Sequence, residues 1–139
     1  MSIKLPYYKE VIINSKGTRK SQLRPKIKIR VFNKDRYIDV LALIDSGADY
    51  CLFPGEIGEI IGIENIRGGN KLDFFGISGK PTSFYLNNIK IQVGNYKFPC
   101  EGYFSHKYKG PPLLGENGFF STFKVIFDFQ KEEIELVPK

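Results

Sequence analysis

The stretch from Tyr37 to Ile44 constrains the fold of this chain more than any other. It has the pattern of a strand and ends in five consecutive apolar residues, from Val40 to Ile44. A strand that is apolar on both faces lies inside a sheet rather than on its surface. The next residue is a carboxylate, Asp45, which at such a position must be satisfied by hydrogen bonds or serve a purpose. The sequence therefore predicts a packed β domain with one acidic residue whose position requires an explanation.

Short strand patterns occupy most of the remaining chain. Lys26 to Phe32 alternates basic residues with apolar ones, which is typical of a half-buried strand. Short helices are predicted near Pro54 and through Phe123, and a hairpin with a glycine-bounded tip is predicted around Gly76 to Gly79. The other predicted strands are Lys71 to Phe75, Thr82 to Leu86, Ile89 to Val93, Tyr96 to Phe98, Lys124 to Phe129 and Glu133 to Val137. About eight short strands with one or two short helices predict an all-β fold, a small closed barrel-like domain.

The length and charge of the chain suggest how it is divided. A length of 139 residues favours one domain. The net charge is +6, from 21 basic and 15 acidic residues, and Lys16 to Arg30 is the densest basic stretch. We expect residues 1–24 to form a basic N-terminal arm that is solvated and poorly ordered, and residues 25–139 to form the domain. A basic stretch of this kind also attracts nucleic acid or acidic partners, and that alternative stays open.

Several classes of protein are disfavoured by composition. Cys51 and Cys100 are not in a C-x-x-C arrangement and His106 is the only histidine, so we expect no metal site and no histidine-activated nucleophile. Both cysteines have apolar neighbours and are predicted to be buried free thiols. No apolar run approaches the length of a membrane span, and residues 1–6 lack the features of a signal peptide. We expect a cytoplasmic protein without cofactor.

The triplet Asp45-Ser46-Gly47 is a common turn sequence when taken alone. Hydrolysis of a peptide bond by carboxylates requires two of them close together, one ionised and one protonated, with a water between them. The other aspartates are Asp35, Asp39, Asp49, Asp73 and Asp128, and none is followed by Ser-Gly or Thr-Gly. A carboxylate pair built on this triplet therefore requires two copies of the chain, related by a two-fold axis.

Three segments in this order resemble the retropepsins, the retroviral-type aspartic peptidases with cellular and prokaryotic relatives. They are Ala42 to Asp49, which is similar to the catalytic motif, the hairpin at Gly76 to Gly79, placed like the flap, and Leu113 to Phe120, similar to the segment before the C-terminal helix. The likeness covers about Pro25 to Val137. It implies a retropepsin-like aspartic protease half-domain, an endopeptidase active as a homodimer on peptide or protein substrates.

The resemblance also implies roles for individual residues. Asp45 would be the catalytic acid and base, Ser46 would brace the two carboxylates across the dimer, and Gly47 would lie along the bound peptide. Leu114 and Gly115 would pack beneath the catalytic loop. Substrate contacts would come from the catalytic loop and the flap, through Ala48, Asp49, Gly76, Ile77, Ser78 and Gly79.

The chain departs from the family pattern at Glu116, where the family commonly has an arginine that pairs with the aspartate corresponding to Asp49. This departure motivates an alternative function, a non-catalytic dimeric peptide-binding module of the same fold. A second alternative is a nucleic-acid-binding barrel, motivated by aromatic residues among lysines at residues 96–98 and 106–109. We expect no nucleic-acid or membrane partner. The dimer surface is predicted either at Glu133 to Val137 or at the N-terminal arm. The alternative interpretation of Glu133 to Val137 is an edge strand that is protected from pairing with another chain.

Overall fold

The computed structural model describes residues 1–76 and 79–139, and most of them lie in β-strands. A single short α-helix, α1 (Gly55–Ile60), and one 3₁₀ turn (Ile66–Gly68) complete the described secondary structure. The strands are β1 (Ile3–Pro6), β2 (Tyr8–Ile13), β3 (Arg19–Arg24), β4 (Lys26–Asn33), β5 (Arg36–Ile44), β6 (Cys51–Pro54), β7 (Lys71–Phe75), β8 (Pro81–Val93), β9 (Tyr96–Ser105), β10 (Leu113–Leu114), β11 (Phe123–Asp128) and β12 (Glu133–Pro138).

Six of these strands close into a barrel. Their order is β4, β5, β10, β6, β9 and β8, and β8 pairs again with β4, while β7 extends β8 outside the closed ring. The closing pair is antiparallel and joins Val31 to Ile91. This arrangement confirms the predicted all-β fold, a small closed barrel-like domain. The predicted helix near Pro54 is also confirmed, because α1 begins at the next residue.

The barrel interior is filled by alternate side chains of its strands. On β4, Ile27, Ile29 and Val31 are buried, while Lys28 is exposed, as the alternating pattern predicts. Two of the aromatic residues behind the nucleic-acid alternative, Tyr96 and Phe98, pack with this core instead of facing solvent together. A second, smaller cluster lies outside the main core and consists of Leu52, Phe84 and Tyr103, with Tyr50, Phe74, Leu86, Tyr108 and Leu113 packed against them.

The N-terminal residues are more ordered than the sequence indicates. β1 pairs antiparallel with β12, placing Ile3 opposite Leu136. β2 and β3 form a separate hairpin, joined through Glu10 and Arg24 by a side-chain hydrogen bond of 2.9 Å. The expectation of a poorly ordered arm is therefore wrong, because its apolar residues, such as Ile3 and Leu5, pack against the core. A domain boundary at residue 24 stays a prediction.

The helix predicted through Phe123 is not formed. Residues 118–122 make turns, and Gly118 has a positive φ of 115°, which interrupts a right-handed helix. The N–H groups of Phe119 and Phe120 donate to the carbonyl oxygen of Gly115, and those of Thr122 and Phe123 donate to that of Phe119, so the turns are closed without a continuous helix. No helix that the described residues form is long and apolar enough to cross a membrane.

The C-terminal hairpin corrects a further expectation about the dimer surface. Glu133 to Val137 lies in β12, which is paired with β1 on one side and with β11 on the other. Both backbone edges of this strand are thus used within the chain, so it is neither a protected edge nor a strand open to a partner. The edge strands of this three-stranded sheet are β1 and β11, each of which pairs only with β12.

Candidate active site

Asp45 is held at the end of β5 by the short strand β10. β10 runs parallel to β5 and antiparallel to β6, so it is inserted between them. The N–H of Leu43 donates to the carbonyl oxygen of Pro112 at 2.8 Å, and the N–H of Asp45 donates to Leu114 at 3.0 Å. Asp45 therefore leaves the sheet at a point fixed by two backbone hydrogen bonds to a segment about 70 residues away in sequence.

The turn after Asp45 orients its carboxylate. Oδ1 of Asp45 accepts the N–H of Gly47 at 2.9 Å, and the Asp45 carbonyl oxygen accepts the N–H of Ala48 at 3.2 Å. Asp45 is half-buried, whereas Ser46 and Gly47 are exposed. Within the described chain the carboxylate accepts no other hydrogen bond, so one of its oxygens is fixed by Gly47 and the other has no hydrogen-bond partner.

A second segment, directly after β10, supports the other end of this loop. The N–H of Glu116 donates to the carbonyl oxygen of Ala48 at 2.8 Å. Asn117 uses both its backbone N–H and its side-chain amide, at 2.9 and 2.8 Å, to bind the carbonyl oxygen of Asp49. The role of Asn117 was missed in the sequence, because an asparagine in a glycine-rich turn carries no signal that distinguishes it from an ordinary turn residue.

The glutamate at position 116 leaves Asp49 without the arginine partner that is common in the family. Glu116 and Asp49 are both exposed, and among residues 1–76 and 79–139 neither carboxylate forms an ion pair. Two hydrogen bonds from Asn117 to the carbonyl oxygen of Asp49 hold this part of the loop. They take the place of an ion pair between an arginine and the Asp49 carboxylate. The backbone of the loop is thus held in place, while the Asp49 carboxylate has no charged partner among the described residues.

A cleft of about 670 Å³ lies between this loop and the hairpin formed by β7 and β8. At the hairpin tip, the N–H of Gly79 donates to the carbonyl oxygen of Gly76 at 3.0 Å, and Gly79 has a φ of 74°. The residues lining the cleft are Asp45, Gly47, Ala48, Asp49, Tyr50, Leu52, Leu72, Asp73, Phe74, Phe75, Gly76, Thr82, Phe84, Lys107, Tyr108 and Leu113.

The cleft brings together most of the predicted site residues. Five of them line it, namely Asp45, Gly47, Ala48, Asp49 and Gly76. Two more, Ser46 and Gly79, do not line it in a single copy of the chain. The remaining two, Ile77 and Ser78, lie outside the described residues.

Tyr108 is a cleft residue that the sequence did not reveal as one. Its ring lies 5.7 Å from that of Phe84, and its hydroxyl donates to the carbonyl oxygen of Pro111. Burial, and secondarily the negative charge of Asp45, raises the pKa of the Tyr108 hydroxyl. The electrostatic influence of Asp45 therefore extends across the cleft to this wall.

The two cysteines lie beneath the loop and are buried free thiols, as predicted. The Cys51 thiol donates to the carbonyl oxygen of Asn117 at 3.8 Å. A hydrogen bond with Cys100, aided by the N–H of Gly115, holds the pKa of Cys51 below its ordinary value. The same hydrogen bond and burial raise the pKa of Cys100. The thiols thus serve as packing beneath the segment that braces the loop.

The fold is shared with solved structures, although no protein-family model and no curated protein sequence matches the chain. A retropepsin-like aspartic protease from Rickettsia conorii aligns with a TM-score of 0.61 and 14% identity, over 98% of this chain and 90% of that one. The EIAV protease in complex with an inhibitor aligns with a TM-score of 0.51 and 14% identity, over 67% of this chain and 82% of that one. Both likenesses show a retropepsin-like fold.

Proposed function

We propose that this chain is an aspartic endopeptidase that acts as a homodimer, with one Asp45 from each copy. The observation that carries the proposal is the placement of Asp45. Its carboxylate is oriented by the N–H of Gly47 at 2.9 Å and opens into a cleft of about 670 Å³ beneath a hairpin. A cleft of this size holds an extended stretch of peptide. Asp45 is the one aspartate of the sequence that is followed by Ser-Gly or Thr-Gly, so we assign the second carboxylate of the pair to the Asp45 of a partner copy.

The mechanism follows from two like charges held close together, as in aspartic proteases generally. Because both cannot ionise together, one Asp45 carboxyl keeps its proton. The ionised carboxylate takes a proton from the water between them, and the water oxygen attacks the carbonyl carbon of the substrate. The other carboxyl gives its proton to the carbonyl oxygen. Collapse of the tetrahedral intermediate then breaks the C–N bond as a proton passes to the nitrogen.

The free edge of β11 is the surface that we propose for dimer formation. β11 is paired only with β12, and Ile126 and Phe127 on this strand are 37% and 44% exposed. Phe129, in the following turn, is 66% exposed. An open strand edge with exposed apolar side chains is a template for pairing with another chain. Pairing of two β11 edges about a two-fold axis extends the three-stranded sheet into a six-stranded one.

The direct test compares the wild type with Asp45→Asn on a peptide library, with new termini detected by mass spectrometry from acidic to neutral pH. Asp45→Asn keeps the shape of the side chain but cannot take a proton, so cleavage should fall by roughly a hundredfold to ten-thousandfold. Asp35→Asn, in the turn between β4 and β5, is the control that removes the same charge outside the cleft.

Two outcomes would contradict the proposal. Asp45→Asn protein that cleaves peptides as fast as the wild type would exclude Asp45 from the chemistry. A wild type that dimerises and binds peptides but never cleaves them would favour the alternative, a non-catalytic peptide-binding module. The unpaired Glu116 carboxylate, where the family commonly has an arginine, is the feature that supports this alternative.

A further inference from the structure

Asp49 presents a carboxylate to the cleft without a basic partner. Its carbonyl oxygen is fully engaged by two donors of Asn117, at 2.9 and 2.8 Å, which fix the position of its backbone. Its side chain is exposed, lines the cleft, and forms no ion pair with any of residues 1–76 and 79–139. A charge that is held in place but unpaired in a binding cleft is available to a ligand.

Asp49 is the carboxylate of the cleft that has neither an ion pair nor a side-chain hydrogen bond among the described residues, whereas Asp73 lacks only the ion pair. The Asp73 carboxylate accepts the Ser83 hydroxyl at 2.7 Å, and the Asp45 carboxylate belongs to the proposed reaction. Lys107 is the basic residue among those that line the cleft. The lining residues thus carry three carboxylates and one ammonium group, although the whole chain has a net charge of +6. The cleft is therefore negative on a positive molecule.

Apolar walls surround these charges. Leu52, Phe74, Phe84 and Leu113 line the cleft, together with Tyr108. Such a lining accommodates large apolar side chains of a peptide. The cleft thus offers apolar walls together with an unpaired carboxylate at Asp49.

We propose that Asp49 is a specificity-determining residue that binds a lysine or arginine side chain of the substrate. This inference rests on the proposed peptidase function. In a two-fold dimer an extended peptide crosses the axis, so it passes one Asp49 before the scissile bond and the other after it. The expected substrate has an apolar centre with a basic residue on one or both sides.

The test is direct binding, because binding does not depend on turnover. Three fluorescent peptides share one apolar centre and carry lysine, glutamine or glutamate on both flanks, and their affinities for Asp45→Asn protein are measured by anisotropy. We expect the lysine peptide to bind roughly two- to fivefold more tightly per basic residue than the glutamine peptide, as for partly exposed charge pairs. This preference should shrink as salt is added.

Variants of Asp49 in the Asp45→Asn background assign the preference to one residue. Asp49→Asn should bind the lysine and glutamine peptides equally, and Asp49→Lys should favour the glutamate peptide. Asp35→Asn removes the same charge outside the cleft and should keep the preference for lysine. Glu116→Gln should also keep it, because Glu116 does not line the cleft.

The outcomes separate this inference from the proposed function. Equal binding of the three peptides, binding of none, or loss of the preference in Glu116→Gln or Asp35→Asn would overturn the role of Asp49. The wild type could still cleave the glutamine peptide in that case, which would preserve the peptidase. A preference for lysine that depends on Asp49, in a protein that cleaves nothing, would preserve this inference and reject the peptidase.

Discussion

Gly115 lies against the carbonyl oxygen of Tyr50 so closely that a Cβ atom at Gly115 would be 2.3 Å from it. The same Cβ would be 2.5 Å from the carbonyl oxygen of Ala48. Both contacts are to backbone atoms of the loop that follows Asp45, and backbone atoms cannot swing away as a side chain can. The geometry of the candidate catalytic loop therefore depends on the absence of a side chain at Gly115.

Gly115→Ala should lower both stability and peptidase activity. The added methyl group displaces the loop backbone, and overpacking of this kind costs about 1–3 kcal/mol of unfolding free energy. Urea unfolding followed by circular dichroism measures this cost, and peptide cleavage measures the displacement of Asp45. The stability control is Gly76→Ala, where a Cβ atom meets nothing within 4 Å. A Gly115→Ala protein with wild-type stability would show that the loop can move without cost.

Removing the Asn117 side chain should loosen the loop without unfolding the protein. In Asn117→Ala the Asp49 carbonyl oxygen loses the amide donor at 2.8 Å but keeps the backbone N–H at 2.9 Å. A single hydrogen bond of this kind contributes about 0.5–1.5 kcal/mol. Chemical denaturation measures this loss, and Thr122→Ala is a control that removes a side-chain hydrogen bond to Gly118 outside the loop. If Asn117→Ala reduces peptide binding and Thr122→Ala does not, the Asn117 amide positions Asp49. If both variants reduce peptide binding equally, the Asn117 amide contributes only to the stability of the fold.

Local sequence patterns predicted the parts of the fold that depend on neighbouring residues. The alternation in Lys26 to Phe32 and the apolar end at Ile44 correspond to β4 and β5. The pairing of β1 with β12 joins opposite ends of the chain, so no local pattern indicates it. The helix predicted through Phe123 failed because of the φ of 115° at Gly118, beside the Cys51 and Cys100 sulfur atoms.

The candidate site shows the same division between local and distant determinants. The triplet beginning at Asp45 marks a turn that is recognisable by its residues, and the hydrogen bond from Gly47 to the carboxylate is local. The contributions of Asn117 and Tyr108 depend on the insertion of β10 between β5 and β6. That insertion brings together segments that lie more than 60 residues apart, and a single sequence does not contain the pairing.

A charge on the β11 edge should weaken the dimer. Ile126→Lys places an ammonium group on the open edge, and charged residues on edge strands disfavour pairing with another chain. Because each proposed site needs two copies, cleavage should fall at low protein concentration and recover as the concentration rises. Sedimentation velocity and the concentration dependence of cleavage measure the two effects.

The control for this substitution is Ile60→Lys, which adds the same charge at a 52% exposed position on α1. It should leave association unchanged. If Ile126→Lys protein associates as tightly as the wild type while both remain folded, the dimer uses another surface. The β2 and β3 hairpin would then be the next candidate, because Val11 and Ile13 on it are 58% and 61% exposed.

Tyr108 should make the protein sensitive to alkaline pH. Burial and the charge of Asp45 raise the pKa of its hydroxyl above the ordinary value of 10.0, so the folded chain keeps this proton at a pH where the unfolded chain loses it. The stability that results is fully present below pH 10 and is lost as the pH rises towards the folded pKa.

Tyr108→Phe should therefore lose less unfolding free energy than the wild type between neutral and alkaline pH. Asp45→Asn should reduce this loss of unfolding free energy by a smaller amount, because the charge of Asp45 raises the pKa of Tyr108 less than burial does. Urea unfolding at a series of pH values gives the slope of unfolding free energy against pH for each protein, and identical slopes for Tyr108→Phe and the wild type would contradict the raised pKa of this partly buried hydroxyl.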